Sequence, residues 1–128
     1  MVVVDPETLA AVVCERINRE LPSQVNVTPE RGRGIAFYRE GELLEQLSFA
    51  QVFDELPWQK AAESAIWNLL DKLQDFMIEV IAINTWPAQS GFGGDARVSV
   101  TDSRIEFWYG DSANPTLRFA PIPLANAM

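Results

Sequence analysis

Asp71, Asp75 and Glu79 stand four residues apart. On a helix that spacing sets them in one row. A row of carboxylates can hold a divalent cation or do general acid–base work. Here Lys72 sits beside the row, and the row lies opposite an apolar stripe. A solvated helix face explains it more simply. The second candidate is Ser90-Gly91-Phe92-Gly93-Gly94-Asp95. Successive N–H groups of a glycine loop can cradle an anion. No Lys-Ser or Lys-Thr follows it and no helix opens after it, so a P-loop is excluded. It is then a connection between helix and strand, or a loop closing over a cleft with Phe92 as its apolar tip. In the second case Asp95, Tyr109 and Asp111 are the polar groups at hand. Asp95 precedes one strand and Tyr109 and Asp111 follow the next, so a turn at Asp102-Ser103 brings those ends together.

What is missing excludes more than what is present suggests. There is no histidine, and Cys14 is the only cysteine. Cys/His zinc sites, Ser-His-Asp triads, Cys-His pairs and internal disulfides are therefore excluded. Cys14 falls beside the apolar stripe of a helix, where a thiol acts as a small hydrophobe. No catalytic, metal or cofactor site is legible. The formal net charge is −8, from 18 acidic and 10 basic residues. Nucleic-acid backbones and anionic membranes would be repelled, and a basic protein or peptide would be attracted. Arg31, Arg33, Arg39, Arg97, Arg104 and Arg118 all lie on or near strands, so a local basic patch would have to form there. The run Arg31-Gly32-Arg33-Gly34 reads as a hairpin turn with solvated arginines.

The elements that position these residues follow from periodicity. Pro57 to Asn84 carries Ala62, Ala65, Leu69, Leu73, Phe76, Val80 and Ile83 at intervals of three and four, an amphipathic helix. Pro87 ends it by Trp86. Asp5-Pro6-Glu7 is a helix start: a cap, a proline suited to the first helical position, and a charge favoured by the dipole. Leu9, Val13, Ile17 and Leu21 give that helix its stripe, and Pro22 stops it. Strands follow at Gln24 to Thr28, around Ile35 and Phe37, and around Leu43, Leu47 and Phe49. Arg39-Glu40-Gly41-Glu42 is a hairpin turn. After the long helix come strands at Val98–Val100, Ile105–Tyr109 and Leu117–Phe119. Pro121 and Pro123 predict an extended or loose tail over 121–128. Ile35, Phe37, Tyr38, Leu47 and Phe49 match Ile105, Phe107, Trp108, Leu117 and Phe119 at a constant offset of 70. A true αβββ duplication would give two similar meanders joined in one sheet.

Four tryptophans are many for 128 residues. Trp58 and Trp86 flank the long helix. Trp67 and Ile78 sit at the margin of its stripe, a margin wider than one sheet needs. Tyr38 and Trp108 are out of phase with the core positions of their strands. If helices cover one sheet face only, these two rings mark the other face as a binding or dimer surface.

The sequence thus predicts a single α+β domain: an antiparallel sheet of five to six strands with two helices on one face, in the order α-β-β-β-α-β-β-β. The order α-β-β-β-α-β-β and the acidity resemble the small acidic secretion chaperones of bacterial type III systems. That resemblance is one of element order and acidity, and the closing helix of those proteins has no counterpart here; surplus aromatic residues without a catalytic constellation are what point to a non-enzymatic interaction role. The expected function is a protein-interaction or chaperone-like domain, binding a protein or a second copy through Trp67, Ile78, Tyr38 and Trp108. The alternative is a small-ligand site or carboxylate enzyme in a cleft under Gly91–Gly94. No secretory leader and no membrane span is read from the sequence, so the expected location is cytoplasmic.

Overall fold

A computed structural model describes residues 4–31, 34–80 and 94–128. The first helix, α1, spans Pro6–Asn18. Asp5 caps it, its carboxylate accepting from the Thr8 N–H at 3.2 Å and the Thr8 hydroxyl at 2.5 Å. Three antiparallel strands follow: β1 (Val25–Pro29), β2 (Gly34–Arg39) and β3 (Glu42–Ser48), in the order β1-β2-β3. Glu40 and Gly41 turn β2 into β3 with φ of 51° and 83°. Positive φ at both central positions is the type I′ geometry that matches strand twist. A bulge between Phe37 and Tyr38 then shifts the register, so that Phe37 faces Glu45 and Tyr38 faces Leu43.

A 3-10 turn at Ala50–Asp54 leads to α2, Trp58–Asp75, which continues as a π-helical turn over Phe76–Val80. The rest of the predicted helix lies outside the described residues. The second half is β4 (Ala96–Val100), β5 (Arg104–Gly110), β6 (Pro115–Arg118) and β7 (Ile122–Pro123), closed by a 3-10 turn at Leu124–Ala127. Here β5 is central: β4 pairs along one edge, and β6 and β7 share the other.

The α+β class and the helix–three strands–helix–strands order hold. The expected single sheet does not: the strands form two sheets, of three and four, with no pairing between them among the described residues. The reason lies in α2. Ala61, Ala62, Ala65, Ile66, Leu69, Leu70, Leu73 and Gln74 are all buried, an arc over more than half the circumference at 3.6 residues per turn. A helix apolar over that arc needs cover on two flanks. Toward the first sheet, Phe76 meets Phe37 edge-on at 5.1 Å and Lys72 pairs with Glu45 at 3.4 Å. Toward the second, the Tyr109 hydroxyl donates to the Leu70 carbonyl at 2.5 Å. One apolar cluster includes Val27 and Phe37 of the first sheet, Phe107 and Tyr109 of the second, and both helices.

The tail is also not loose. Ile122 pairs with Ile105 in the second sheet, the Leu124 N–H donates to Ser103, and the Asp5 N–H donates to Ala127 at 2.9 Å. Ile122, Leu124 and Ala127 are buried, with α1 against the closing turn. The prolines limit the pairing to two residues, but the apolar residues between and after them still drive the segment into the core.

The offset of 70 holds for the central strands: Ile35, Phe37, Ile105 and Phe107 are all fully buried. It fails for the next strand of each meander. Ile35 faces Leu47, whereas Leu117 faces Tyr109, not Ile105. The echo is one of apolar alternation without a shared register.

Candidate functional site

Trp67, Asp71 and Asp75 stand at four-residue intervals on α2, so one helical row carries all three. Across from this row runs the start of β4. Asp95 and Arg97 stand there, with Ala96 between them, and together these residues and Gln74 line a groove of about 470 Å³. Two features fix its shape. The buried Gln74 amide donates to the Gly94 carbonyl at 3.3 Å and ties α2 to the strand. Gly94 in turn lies against Gly110, with φ of +90° and +96°. A Cβ on Gly94 would sit 2.5 Å from the Gly110 Cα. Only residues without side chains allow the strand ends to approach this closely.

Trp67 is 44% exposed, the largest side chain among the exposed hydrophobics. An exposed indole beside three carboxylates is a site for a group that is both cationic and apolar, since the indole face attracts cations and its area favours apolar contact. Partial burial, with Asp75 and Asp95 nearby, raises the Asp71 carboxyl above its ordinary value. No group of three or more His, Cys, Asp or Glu side chains among the described residues is placed to hold a metal ion. The groove is acidic without being a metal cage.

The expected site residues separate. Trp67 and Asp95, assigned to different sites from the sequence, share this groove. Ile78 is half-buried in the π-helical turn. Tyr38 and Trp108 lie in different sheets, so no common sheet face carries them. Tyr38 is half-buried. Trp108 is only 8% exposed. It lies between Arg97 and Arg118, its partners on the two neighbouring strands, with the Arg118 guanidinium 4.9 Å from its ring. Phe92 lies outside the described residues. Tyr109 is fully buried, its hydroxyl is engaged by Leu70, and burial pushes that hydroxyl well above the usual tyrosine range. Asp111 closes an exposed turn by accepting from the Ala113 N–H at 3.0 Å. The strand ends do meet as the hairpin predicts, with the Gly110 N–H donating to Asp95 at 3.0 Å. Even so, Asp95, Tyr109 and Asp111 do not converge on one opening.

The basic patch is partial: Arg97, Arg104 and Arg118 share the second sheet, and Arg104 is paired with Glu106 at 3.3 Å. Cys14 is buried, and loss of solvent pushes its thiol up to about 12.

Asp71 and Asp75 read as solvated in the sequence. Their place beside Trp67 was nevertheless legible, because residues 67, 71 and 75 share one helical row. The facing strand end supplies what periodicity along α2 cannot. No helix among the described residues is long and apolar enough to cross a membrane. Comparison with family models, curated proteins and solved structures finds no match for this chain.

Proposed function

We propose that this chain is a non-enzymatic protein-interaction domain of the adaptor or chaperone kind, and that the groove at Trp67 is where its partner docks. The observation that carries this is the exposure of Trp67 beside Asp71, Asp75 and Asp95. An indole left in water is uncovered binding energy, and tryptophan is enriched among the few residues that dominate an interface. The carboxylates select the partner's charge: they repel phosphate and favour a basic protein. A second copy of the chain would bring its own acidic groove, so self-association through this surface is disfavoured. The cleft-enzyme alternative is less well supported, because the Tyr109 hydroxyl is committed to α2 and Asp111 to its own turn. A single buried thiol agrees with a reducing compartment such as the cytoplasm.

The test is affinity capture from the source cell with the wild-type chain and with Trp67→Ala and Asp71→Lys variants. Both substitutions are at exposed positions, so folding should change by no more than about 0.5 kcal/mol. A protein retained by the wild type and lost from both variants supports the proposal. The same set of proteins on all three overturns it. Light scattering should show a monomer; a dimer broken by Trp67→Ala would reassign the groove to a second copy.

A further inference from the structure

Resting on that interaction reading, we propose that the partner enters as an extended basic segment that adds a strand to the outer edge of β4, which pairs with no other strand among the described residues. The edge strands β1 and β4 are treated differently. Along β1, alternate residues turn their backbone groups away from β2: Val25, Val27 and Pro29. The Val25 N–H donates to the Pro22 carbonyl at 3.0 Å. The Val27 N–H donates to Asn18 Oδ1 at 2.8 Å, and Asn18 Nδ2 donates back to the Val27 carbonyl at 2.9 Å. Pro29 has no N–H to offer. Every outward donor of β1 is therefore used or absent, which is how proteins blunt an edge against strand pairing. On β3, the Gln46 N–H donates to its neighbour Glu45 at 3.1 Å.

β4 is not treated this way. The Gly110 N–H donates to Asp95 and the Thr101 N–H donates to Arg104, each at 3.0 Å, which fixes the phase of the ladder. Arg97 and Ser99 face β5, and Ala96, Val98 and Val100 turn their N–H and C=O groups outward. None of these six backbone groups has a hydrogen-bond partner among the described residues. This outer edge begins in the groove, whose lining includes Ala96 together with Trp67 and Asp71. A strand laid there gains ladder bonds from β4, presents alternate side chains to the aspartates, and covers the indole. In strand addition the backbone supplies affinity and the alternate side chains supply choice. The aspartates choose lysine and arginine. A second copy paired edge to edge would set its own acid row against this one, and like charges opposed across an interface are costly.

The experiment uses the purified chain and a fluorescein-labelled nine-residue peptide of alternating Lys and Val, followed by anisotropy. Two comparison peptides are its form methylated at alternate backbone nitrogens and an alternating Glu and Val peptide. The Lys-Val peptide should bind, and binding should weaken at least about tenfold on raising salt well beyond the physiological range. Backbone methylation should reduce binding at least about tenfold, since it removes the ladder bonds. The Glu-Val peptide should not bind. Amide exchange at Ala96, Val98 and Val100 should slow at saturation. Val98→Pro deletes one outward donor at an edge position and should reduce binding similarly; because Val98 also packs against the core, its melting is measured beside its binding. If that variant fails to fold, the methylated peptide carries the same test. Equal binding by the methylated peptide, or no exchange protection at the three amides, overturns strand addition. If Trp67→Ala still abolishes partner capture, the groove proposal survives that result. Failure of the Lys-Val peptide to bind at about millimolar concentration also overturns the inference, and loss of Trp67-dependent capture separately overturns the proposal beneath it.

Discussion

Asn18 closes the edge of β1 with two hydrogen bonds to the backbone of one residue, Val27, so replacing it tests how much stability that closure carries. Asn18→Ala removes a donor and an acceptor at once. Each intramolecular hydrogen bond contributes about 1 kcal/mol net, which gives about 2 kcal/mol for the pair. Two effects then compete. Val27 itself is buried, so its N–H and C=O would lose their protein partners in a dry place. Against that, the groove between α1 and β1 is lined by Asn18, Val27 and Thr28, and water can enter it to replace the amide. The net expectation is a loss of about 1–2 kcal/mol in urea unfolding at neutral pH, with the urea dependence unchanged. Asn18→Asp keeps one acceptor for the Val27 N–H but turns a second oxygen toward the Val27 carbonyl. Burial and that repulsion raise the introduced carboxyl, so its harm is greatest above the folded pKa and shrinks as pH falls and the group takes up a proton. Asn26→Ala serves as control, since among the described residues the Asn26 side chain bonds to exposed Thr28 at 3.3 Å, and the change should cost less than about 0.5 kcal/mol. A loss below about 0.5 kcal/mol for Asn18→Ala would refute the claim that this amide holds the strand. So would a pH response of the opposite sign in Asn18→Asp.

Tyr109→Phe should cost about 1 kcal/mol, because it removes the bond to the Leu70 carbonyl while keeping the ring in the core; chemical denaturation measures it. Gly94→Ala should be far worse, at least about 2 kcal/mol, since it combines a positive φ with a Cβ driven into the Gly110 backbone, and thermal melting will show it directly. Asp71→Asn should stabilise slightly at neutral pH, by up to about 0.5 kcal/mol. The native carboxyl is raised, so its destabilising contribution appears as pH rises through its folded pKa and vanishes below the unfolded one; the variant's advantage should disappear near pH 3, about a unit below ordinary aspartate. Advantage that persists there would mean the carboxylate charge is not the cause.

Local rules explain what was legible in advance. Asp5-Pro6, the Glu40-Gly41 turn and the positions of β2 and β5 each depend on residues close in sequence, and each stands where the pattern puts it, whereas the expected alternation fails at Ala36 and Trp108, both of them buried. The split into two sheets was hinted at by the wide apolar margin of α2, but periodicity cannot say which strands cover which flank. The pairing of the tail as an extended edge was one of its two readings, but its packing went unread, because proline rules speak to backbone pairing, whereas Leu124 and Ala127 are buried in a closing turn that lies against a helix more than a hundred residues earlier. The groove went unread for a related reason. Its halves, Asp71 with Asp75 and Asp95 with Arg97, belong to elements that only tertiary packing brings together. Tyr109 fits both a cleft and a core by type, and the Leu70 carbonyl decided between them.

The bond from the Asp5 amide to the Ala127 carbonyl has a consequence for how the chain is made. Synthesis runs from the amino end, so α1 emerges before both sheets, yet part of its cover is the 3-10 turn at Leu124–Ala127. Until residue 127 is available, that flank of α1 stays wet, and a ribosome-bound fragment ending near residue 120 holds a helix without its lid. Such a nascent chain would need a holdase or fast completion, and a stop codon before Ile122 should yield protein prone to aggregation even though every residue of the Trp67 groove is present.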